Sequence, residues 1–378
     1  MTQNLVPAKK PRLRAVRSGV VGWSRHHESV AALVDALRRI PVGEPVRLAK
    51  TTSNLFRSRT DVNRPGLDVS DLDGVIAVDT QARTAEVQGM ATYETICAAT
   101  VPLGLMPCVV PQLRTITLGG AVTGLGIESS SFRNGLPHES VLEMDVLTGA
   151  GGIVTATPDG EHSDLFKAFA NSYGSLGYSV RLKIALDPIQ PYVRLHHLRF
   201  EHLADLLATM GSIAETGELD GERVDFLDGV VFSRTEGYAV VGTFAATAPY
   251  TSDYTGQQIF YRSIQHRSED YLSTIDYIWR WDTDWFWCNR ALGLQNRRVR
   301  RFVPRRYLRS DVYSKIIRFE TRHGWMAALD SRRGKPRRER VVQDVELPLE
   351  QTQGFLEWFL REVPIEPIWL CPLRLREV

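Results

Sequence analysis

The chain contains 378 residues, 43% of them hydrophobic, and its 46 lysines and arginines nearly balance its 44 aspartates and glutamates. A chain of this size can bury a substantial core, most simply as two domains, and its near-neutral charge gives no global indication of nucleic-acid binding. The 4 cysteines lack CxxC or zinc-type spacing, which is typical of free thiols in a reducing compartment. We therefore expect a cytoplasmic protein and no metal site.

The first predicted elements follow a basic N-terminal segment, residues 1–25, which lacks the apolar core of a secretory signal. Apolar residues then recur at helical spacing over 26–40 and stop at Pro41, which predicts an amphipathic helix. A short strand is expected at 46–49. This strand leads into Ser53 and Asn54, whose hydroxyl and amide groups suit a phosphate-facing turn, although an ordinary loop is the alternative.

A glycine-rich stretch, residues 115–135, reads TITLGGAVTGLGIESSSFRNG. Glycine loses the most backbone entropy on folding, so its repeated use here predicts special dihedral angles or a backbone pressed close to a ligand. The serine run that follows Glu128 offers hydroxyl and N–H groups suited to phosphate oxygens. A glycine-rich surface loop without a ligand is the alternative.

Short elements on both sides of this stretch predict a first domain of alternating strands and helices. Strands are expected at 74–79, 84–88, 141–147, 152–157 and 178–186, and helices at 91–100 and 163–170, the second capped by Ser163. The sequence GAGG after 147 predicts a hairpin turn, because a dinucleotide-binding fingerprint would open a helix there. A second glycine- and serine-rich turn contains Gly174 and Gly177.

The second half of the chain has a different pattern. Strands are predicted at 195–200, 229–233, 239–244 and 368–373, and helices at 202–216 and 349–361. This order indicates an α+β domain in which helices cover an antiparallel sheet. We place the boundary between Pro188 and Pro191, which gives domains 26–189 and 190–378.

Two segments, PQLRTITLGGAVTGLGIESSSFRNGLPHESVLEMDVLTGAGG and SDLFKAFANSYGSLGYSVRLKIAL, closely resemble the flavin-binding domain of the para-cresol methylhydroxylase (PCMH) and vanillyl-alcohol oxidase superfamily. The GxGIESSS core and the SDLF…GxLG turn are most similar to Δ24-sterol reductases. VVQDVELPLE and PIWLCPLRL resemble that family's cap domain, so the likeness covers most of residues 26–375.

This resemblance implies a two-subdomain PCMH-type FAD-binding domain followed by an α+β cap. It also implies which positions contact FAD. By position, these are Ser53, Asn54, Pro111, Thr117, Gly119, Gly120, Gly124, Gly126, Ile127, Glu128, Ser129, Ser130, Gly135, Gly174 and Gly177.

Three departures from the family pattern affect the expected chemistry. Phe132 stands where the sterol reductases have a histidine, so no covalent flavin link is expected through that position. The segment Trp285–Arg290 lacks the acid of the corresponding family segment. The chain ends at Val378, before a further strand that the family carries, so the cap is expected to be C-terminally incomplete.

The resemblance implies FAD-dependent hydride transfer through flavin N5, with the protein supplying orientation and a proton. We expect NADPH-dependent reduction of a C=C bond in a small hydrophobic, sterol- or isoprenoid-like substrate. An alcohol or sugar-alcohol oxidase or dehydrogenase is the alternative, as is a flavin-binding accessory protein without turnover. The catalytic candidates are Tyr277, Arg290 and Cys371, and Trp369 shares a strand face with Cys371.

Residues 276–309 combine tryptophans with a run of arginines. Rings and arginines together suit a membrane interface, where aromatic side chains lie among headgroups and arginines contact anionic lipid. No stretch of the chain approaches the ~20 apolar residues of a membrane span. We therefore expect peripheral membrane contact here and no nucleic-acid partner, with a substrate lid as the alternative; the sequence does not indicate an oligomeric state.

Overall fold

The computed structural model describes residues 20–41, 43–50, 66–332, 334, 344–363 and 365–376. The strands are β1 (Leu48–Ala49), β2 (Leu67–Asp68), β3 (Val75–Asp79), β4 (Thr84–Gln88), β5 (Leu105–Pro107), β6 (Val141–Leu147), β7 (Ile153–Ala156), β8 (Tyr178–Pro188), β9 (Tyr192–Phe200), β10 (Glu218–Leu219), β11 (Glu222–Arg223), β12 (Phe226–Ser233), β13 (Glu236–Ala245), β14 (Glu269–Ser273) and β15 (Ile368–Leu370). The predicted turn at Ser53 and Asn54 lies outside the described residues.

The α-helices are α1 (Trp23–Arg38), α2 (Tyr93–Thr100), α3 (Leu118–Gly124), α4 (Ser131–Asn134), α5 (Ser163–Phe169), α6 (Leu203–Thr216), α7 (Phe260–Ser263), α8 (Thr274–Ile278), α9 (Arg297–Arg300), α10 (Ser310–His323), α11 (Trp325–Arg332) and α12 (Leu349–Glu362). Four short 3-10 helices occupy Val101–Leu103, Pro137–Ser140, Cys288–Leu292 and Arg305–Tyr307. Antiparallel sheets and separate helices confirm the α+β fold class.

The described chain divides into two compact units. The first contains the described residues up to Cys108, together with Thr115–Gly126 and Ser140–Pro188. The second contains Val109–Arg114, Ile127–Glu139 and the chain from Ile189 onwards. The predicted domain 26–189 thus includes two segments that the structure groups with the second unit.

The first unit is built on an antiparallel sheet with the strand order β3-β4-β8-β6-β7, and β5 also pairs with β8. Helix α1 buries Leu33 against a small core that includes Leu67 and Leu72. Strands β6 and β7 form a hairpin in which Leu147 faces Ile153, so the predicted GAGG hairpin turn is confirmed. The predicted cap at Ser163 is wrong: Ser163 is the first helical residue, and the preceding His162 makes no side-chain cap bond.

The second unit contains the sheet β14-β9-β13-β12-β15, which is antiparallel throughout. Helices α6 and α12 supply its main core together with β12 and β13. Leu206, Met210 and Leu356 are fully buried there, as the helical spacing of apolar residues requires. Among the described residues, no helix combines the length and apolar character needed to cross a bilayer.

Candidate functional site

The first part of the glycine-rich stretch forms a helix, which corrects its interpretation as a loop. Helix α3 begins at Leu118, and the side chain of Thr117 caps it by accepting a hydrogen bond from the Gly120 N–H at 3.2 Å. Thr117 also forms an isolated antiparallel bridge with Thr92. The hydroxyl of Thr117 is therefore committed to a local structural role at the start of the helix.

Two predicted cofactor glycines are required by contacts within the protein. A Cβ atom on Gly119 would lie 2.6 Å from Ser179 Oγ and 2.7 Å from the Gly89 carbonyl oxygen. Gly177 has φ 139°, and a Cβ there would lie 2.5 Å from the carbonyl oxygen of Leu147. These distances are below normal contact, so the absence of side chains lets the first unit pack.

Other glycines of the stretch leave the backbone accessible. Gly120, Gly124 and Gly126 are all partly exposed, and a Cβ on Gly124 would meet its nearest neighbour at 3.8 Å, an ordinary contact. Between them, Leu125 adopts the left-handed region with φ 51°, a conformation uncommon for a non-glycine residue. This is the part of the stretch where a ligand has backbone to approach.

The serine run is buried and bonded inside the second unit, and its expected contact with a phosphate stays a prediction. The Ser129 hydroxyl donates to Glu128 Oε1 at 2.7 Å and lies 2.9 Å from Tyr277 Oη. The Ser131 hydroxyl accepts from the Glu128 N–H at 3.1 Å. Ser130 is also buried, with 1% of its surface exposed.

Arg280 organises a buried cluster of charges around this serine run. Its Nη2 donates to Glu128 Oε1 at 2.8 Å and to Asp228 Oδ2 at 3.0 Å, and its guanidinium lies 3.9 Å from the centre of the Tyr277 ring. Arg280 and Asp228 are 2% and 0% exposed, and Glu128 is 4% exposed. The cluster connects helix α8, strand β12 and the segment after Gly126 within one unit.

One arginine pairs with two carboxylates in this cluster. Within the described chain, Arg280 is the cation that pairs with Glu128 and Asp228, so two ionised carboxylates would leave one uncompensated negative charge. Glu128 Oε2 and Asp228 Oδ1 are buried and have no hydrogen-bond partner in the described structure. A buried charge without partners is strongly disfavoured relative to its neutral form. Burial accordingly raises the pKa of Glu128, although Arg280 opposes the shift.

Two of the predicted catalytic residues are brought into this cluster. Burial raises the pKa of Tyr277 well above its usual value, so its hydroxyl is a neutral donor or acceptor. The Cys371 thiol donates to the Glu128 carbonyl oxygen at 3.2 Å, and burial also raises its pKa well above the usual range. This thiol is therefore a protonated group without nucleophilic character.

Trp369 joins the cluster and Arg290 does not. The Trp369 Nε1–H donates to Asp228 Oδ2 at 3.0 Å, in agreement with the expectation that Trp369 and Cys371 share a face. Arg290 is exposed, in the short 3-10 helix Cys288–Leu292. A role for Arg290 remains a prediction without structural support.

The sequence reasoning missed Arg280 and Asp228. Both are charged residues inside apolar runs, YIWRW and FLDGVVF. Arginine and aspartate are seldom buried unless paired, so a charge in the middle of such a run is a signal for a buried ion pair. The partners of that pair are 52 residues apart, and periodicity does not connect them.

The remaining predicted positions have structural surroundings of their own. Phe132 is 1% exposed in the main apolar core of the second unit. Gly135 has φ 70°, and a Cβ there would clash with the Glu139 carboxylate, which accepts from the Leu136 N–H at 2.7 Å. Gly174 has φ 83° in the turn that precedes β8, and Pro111 is buried.

One observation in each unit fits the binding of FAD. In the first unit, Gly120, Gly124 and Gly126 leave the backbone partly exposed where a cofactor would approach. In the second unit, Glu128 has a buried carboxyl oxygen without a partner in the described structure. Orphaned buried polar atoms are rare in folded proteins and indicate a water or ligand contact. The residues of the first unit that would hold FAD are therefore Gly120, Gly124 and Gly126.

The chain matches the family described as FAD binding domain over residues 20–157. This part of the chain is an FAD-binding domain of the PCMH type, so that the resemblance seen in the sequence is confirmed. The match includes the helix α3, the serine run and the β6–β7 hairpin, but not β8.

Similarity to individual proteins extends much further along the chain. A Δ24-sterol reductase of Arabidopsis thaliana is 29% identical over 335 residues, which is 82% of this chain and 56% of that protein. The Δ24-sterol reductase of Homo sapiens is 29% identical over 323 residues, 80% of this chain and 58% of the relative. Cytokinin dehydrogenase 7 of Oryza sativa subsp. japonica is 35% identical over 116 residues, 31% of this chain and 22% of the relative. The chain thus spans little more than half the length of the sterol reductases.

Proposed function

We propose that this chain is an FAD-dependent oxidoreductase that reduces a C=C bond of a hydrophobic, sterol- or isoprenoid-like substrate with NADPH as the electron donor. The proposal extends the activity for which the Δ24-sterol reductases are named to this chain, about four fifths of which is similar to them. The observation that carries it is the buried cluster around Arg280, in which Glu128, Ser129 and Tyr277 can hold and transfer a proton.

Bound FAD would supply hydride chemistry at N5, and reduction of an alkene requires a proton in addition to that hydride. The protein must therefore hold a neutral acid at the site. Tyr277 is such an acid, because burial keeps its hydroxyl protonated. A positioned acid of this kind contributes roughly 10²- to 10⁴-fold to a rate.

A chain of hydrogen bonds connects the Tyr277 hydroxyl with the Glu128 carboxyl group through Ser129. Tyr277 Oη lies 2.9 Å from Ser129 Oγ, which lies 2.7 Å from Glu128 Oε1. We assign Tyr277 as the proton donor to the substrate carbon that does not receive hydride. The Ser129 hydroxyl would then turn from Glu128 and give its proton to Tyr277, and Glu128 would give its proton to Ser129. Glu128, left ionised, would take up a proton from water before the next turnover.

Arg280 and Asp228 position this line. The Arg280 guanidinium donates to Glu128 and Asp228, and Trp369 holds the same Asp228 oxygen. Ser129 is further fixed by its own backbone, since its carbonyl oxygen accepts from the Leu227 N–H at 2.7 Å. These contacts keep the hydroxyl groups within hydrogen-bond distance before substrate arrives, which is the preorganisation that proton transfer requires.

Oxidation of an alcohol or sugar alcohol is the second candidate. The local match to cytokinin dehydrogenase 7 favours it, since that relative carries a dehydrogenase name. In that direction Tyr277 would have to accept a proton. Burial disfavours the phenolate form of Tyr277 in both directions, so its raised pKa does not distinguish the two candidates.

Purified protein distinguishes the two candidates. We expect a yellow protein whose flavin is bleached anaerobically by NADPH and restored by a sterol with an unsaturated side chain, with the saturated product detected by mass spectrometry. The same alkene offered to FAD-free protein is the control. Protein that stays colourless after incubation with FAD would contradict both candidates. Bleaching by an alcohol or sugar alcohol but not by NADPH would favour the second.

The mode of flavin attachment is measured on the same sample. Phe132 is a hydrocarbon side chain in an apolar core and cannot form a bond to flavin. We expect acid precipitation to release all the flavin into the supernatant. Flavin that remains with the precipitated protein would require an attachment point elsewhere in the chain.

A further inference from the structure

Residues 297–307 present a basic surface with exposed apolar side chains, hereafter the basic surface. Its exposed members are Arg297, Arg298, Val299, Arg301, Phe302, Arg305, Arg306 and Tyr307. Phe302 is 77% exposed, the largest value among the exposed large hydrophobic residues of the described chain. An apolar ring that lies in water this openly marks a surface with a partner.

The tryptophans that drew attention to this region do not belong to the surface. Trp279, Trp281 and Trp285 are all buried, and Trp281 stacks on Phe286 with ring centres 5.0 Å apart. They form part of the interior of the second unit. The contact expected over 276–309 stays a prediction, and the exposed arginines and apolar side chains lie in the shorter segment 297–307.

Interior contacts hold the basic surface in place at both ends. Arg300 is buried and bonds to the Asp284 carboxylate and to the carbonyl oxygen of Gly256. Leu308 is 2% exposed, and the Asn296 side chain caps helix α9 by accepting from the Arg298 N–H at 2.9 Å. The residues between these anchors point outwards from a fixed backbone.

Most of the positive charge on this surface has no acidic partner. Among the described residues no ion pair involves Arg297, Arg298, Arg301 or Arg306, whereas Arg305 contacts Asp253 at 2.9 Å. Two arginines instead lie over exposed rings. The Arg301 guanidinium is 4.9 Å from the Phe302 ring centre, and that of Arg306 is 5.0 Å from the Tyr307 ring centre.

We propose that the basic surface binds the headgroups of anionic phospholipids and inserts Phe302 and Val299 into the bilayer interface. Unpaired arginines meet lipid phosphates, and rings beside them suit the headgroup region. Exposed valine and phenylalanine beside the arginines favour a lipid surface, because a bilayer has hydrocarbon directly below its phosphates. This inference does not depend on the proposed reaction.

Vesicle co-sedimentation of the full chain tests the proposal. We expect binding to vesicles of equal parts phosphatidylserine and phosphatidylcholine, with little binding to pure phosphatidylcholine and a marked loss in high salt. Arg298→Gln combined with Arg301→Gln should weaken binding about thirty-fold, from the contribution of each arginine near an anionic surface. Phe302→Ser should weaken it about tenfold, through lost apolar contact.

Matched variants elsewhere serve as controls, and they should change binding by less than about twofold. For charge, these are Arg39→Gln combined with Arg361→Gln, both exposed, and for hydrophobicity Phe319→Ser, which is 56% exposed. Equal loss in control and test variants would overturn the proposal. So would equal binding to both kinds of vesicle, or binding to a DNA duplex without binding to vesicles.

Discussion

Arginines in two neighbouring regions have opposite environments. Arg280 is buried and bonds to Glu128 and Asp228 while its guanidinium faces Tyr277, whereas Arg298 and Arg301 are exposed and have no acidic partner in the described chain. Residue type and position along the chain do not separate these cases. The acidic partners of each arginine separate them. Loss of a buried, paired arginine is expected to destabilise the fold, whereas loss of an exposed, unpaired one is expected to remove a surface function.

The largest expected effect is the loss of the Arg280 guanidinium. Arg280→Leu leaves Glu128 and Asp228 buried without their cation, and breaking a buried pair in this way costs about 3–5 kcal/mol of unfolding free energy. Urea denaturation measures it. Arg301→Leu is the matched exposed substitution and should change stability by about 0.5 kcal/mol or less. A similar loss of stability in both variants would contradict the claim that only the buried arginine maintains the fold.

Arg298 and Arg300 sharpen the comparison within one turn of helix α9. Arg300→Leu removes the cation from buried Asp284 and should cost about 3 kcal/mol, without weakening vesicle binding by the protein that remains folded. Arg298→Leu should leave stability within about 0.5 kcal/mol and weaken vesicle binding. Urea denaturation and vesicle co-sedimentation are measured for each variant. A variant that loses both stability and vesicle binding would contradict the separation of structural from surface arginines.

The proton held by Glu128 predicts a dependence of stability on pH. A pKa raised in the folded state adds stability that is complete below the unfolded value near 4.5 and is lost as pH rises through the folded value. Glu128→Gln keeps the size and shape of the side chain but removes the group that ionises. We expect wild-type stability to fall relative to this variant as the pH rises from about 4.5 to neutral, measured by urea denaturation. A constant difference across that range would show that Glu128 does not hold the proton.

Within the buried cluster, Tyr277→Phe is expected to affect stability less than Arg280→Leu does. The substitution removes one hydrogen bond to Ser129 and keeps the ring beside Arg280, so it should cost about 1 kcal/mol of unfolding free energy. Urea denaturation at neutral pH measures it. A cost as large as that of Arg280→Leu would mean that the hydroxyl, rather than the ion pairs, maintains the cluster.

Local patterns in the sequence predicted the regular elements. The alternation in β3, β4 and β9, the helical spacing in α2 and α6, and the GAGG hairpin all correspond to the structure, with ends displaced by a few residues. Such patterns depend on neighbours within one or two turns, which the sequence displays directly. The helix α3 was missed because its seven residues include three glycines, which argue against a helix in isolation.

The cluster around Arg280 was not predictable in the same way. Glu128 and Arg280 are separated by 152 residues, and nothing periodic relates them. The resemblance to flavoproteins singled out Glu128 and Ser129 as cofactor contacts, which stays a prediction, but it did not indicate their partners within the protein. Their protein partners come from helix α8 and strand β12, and only the folded chain brings these elements together.

Proton donation by Tyr277 is tested most directly by measuring two steps separately. These are the reduction of the flavin by NADPH and its reoxidation by the unsaturated substrate. We expect Tyr277→Phe to bind FAD and to be reduced by NADPH anaerobically at the wild-type rate, while reoxidation by the unsaturated substrate slows by at least about 10²-fold. Only the second step consumes the proton that Tyr277 donates. Reoxidation at the wild-type rate, or equal slowing of both steps, would contradict the assignment.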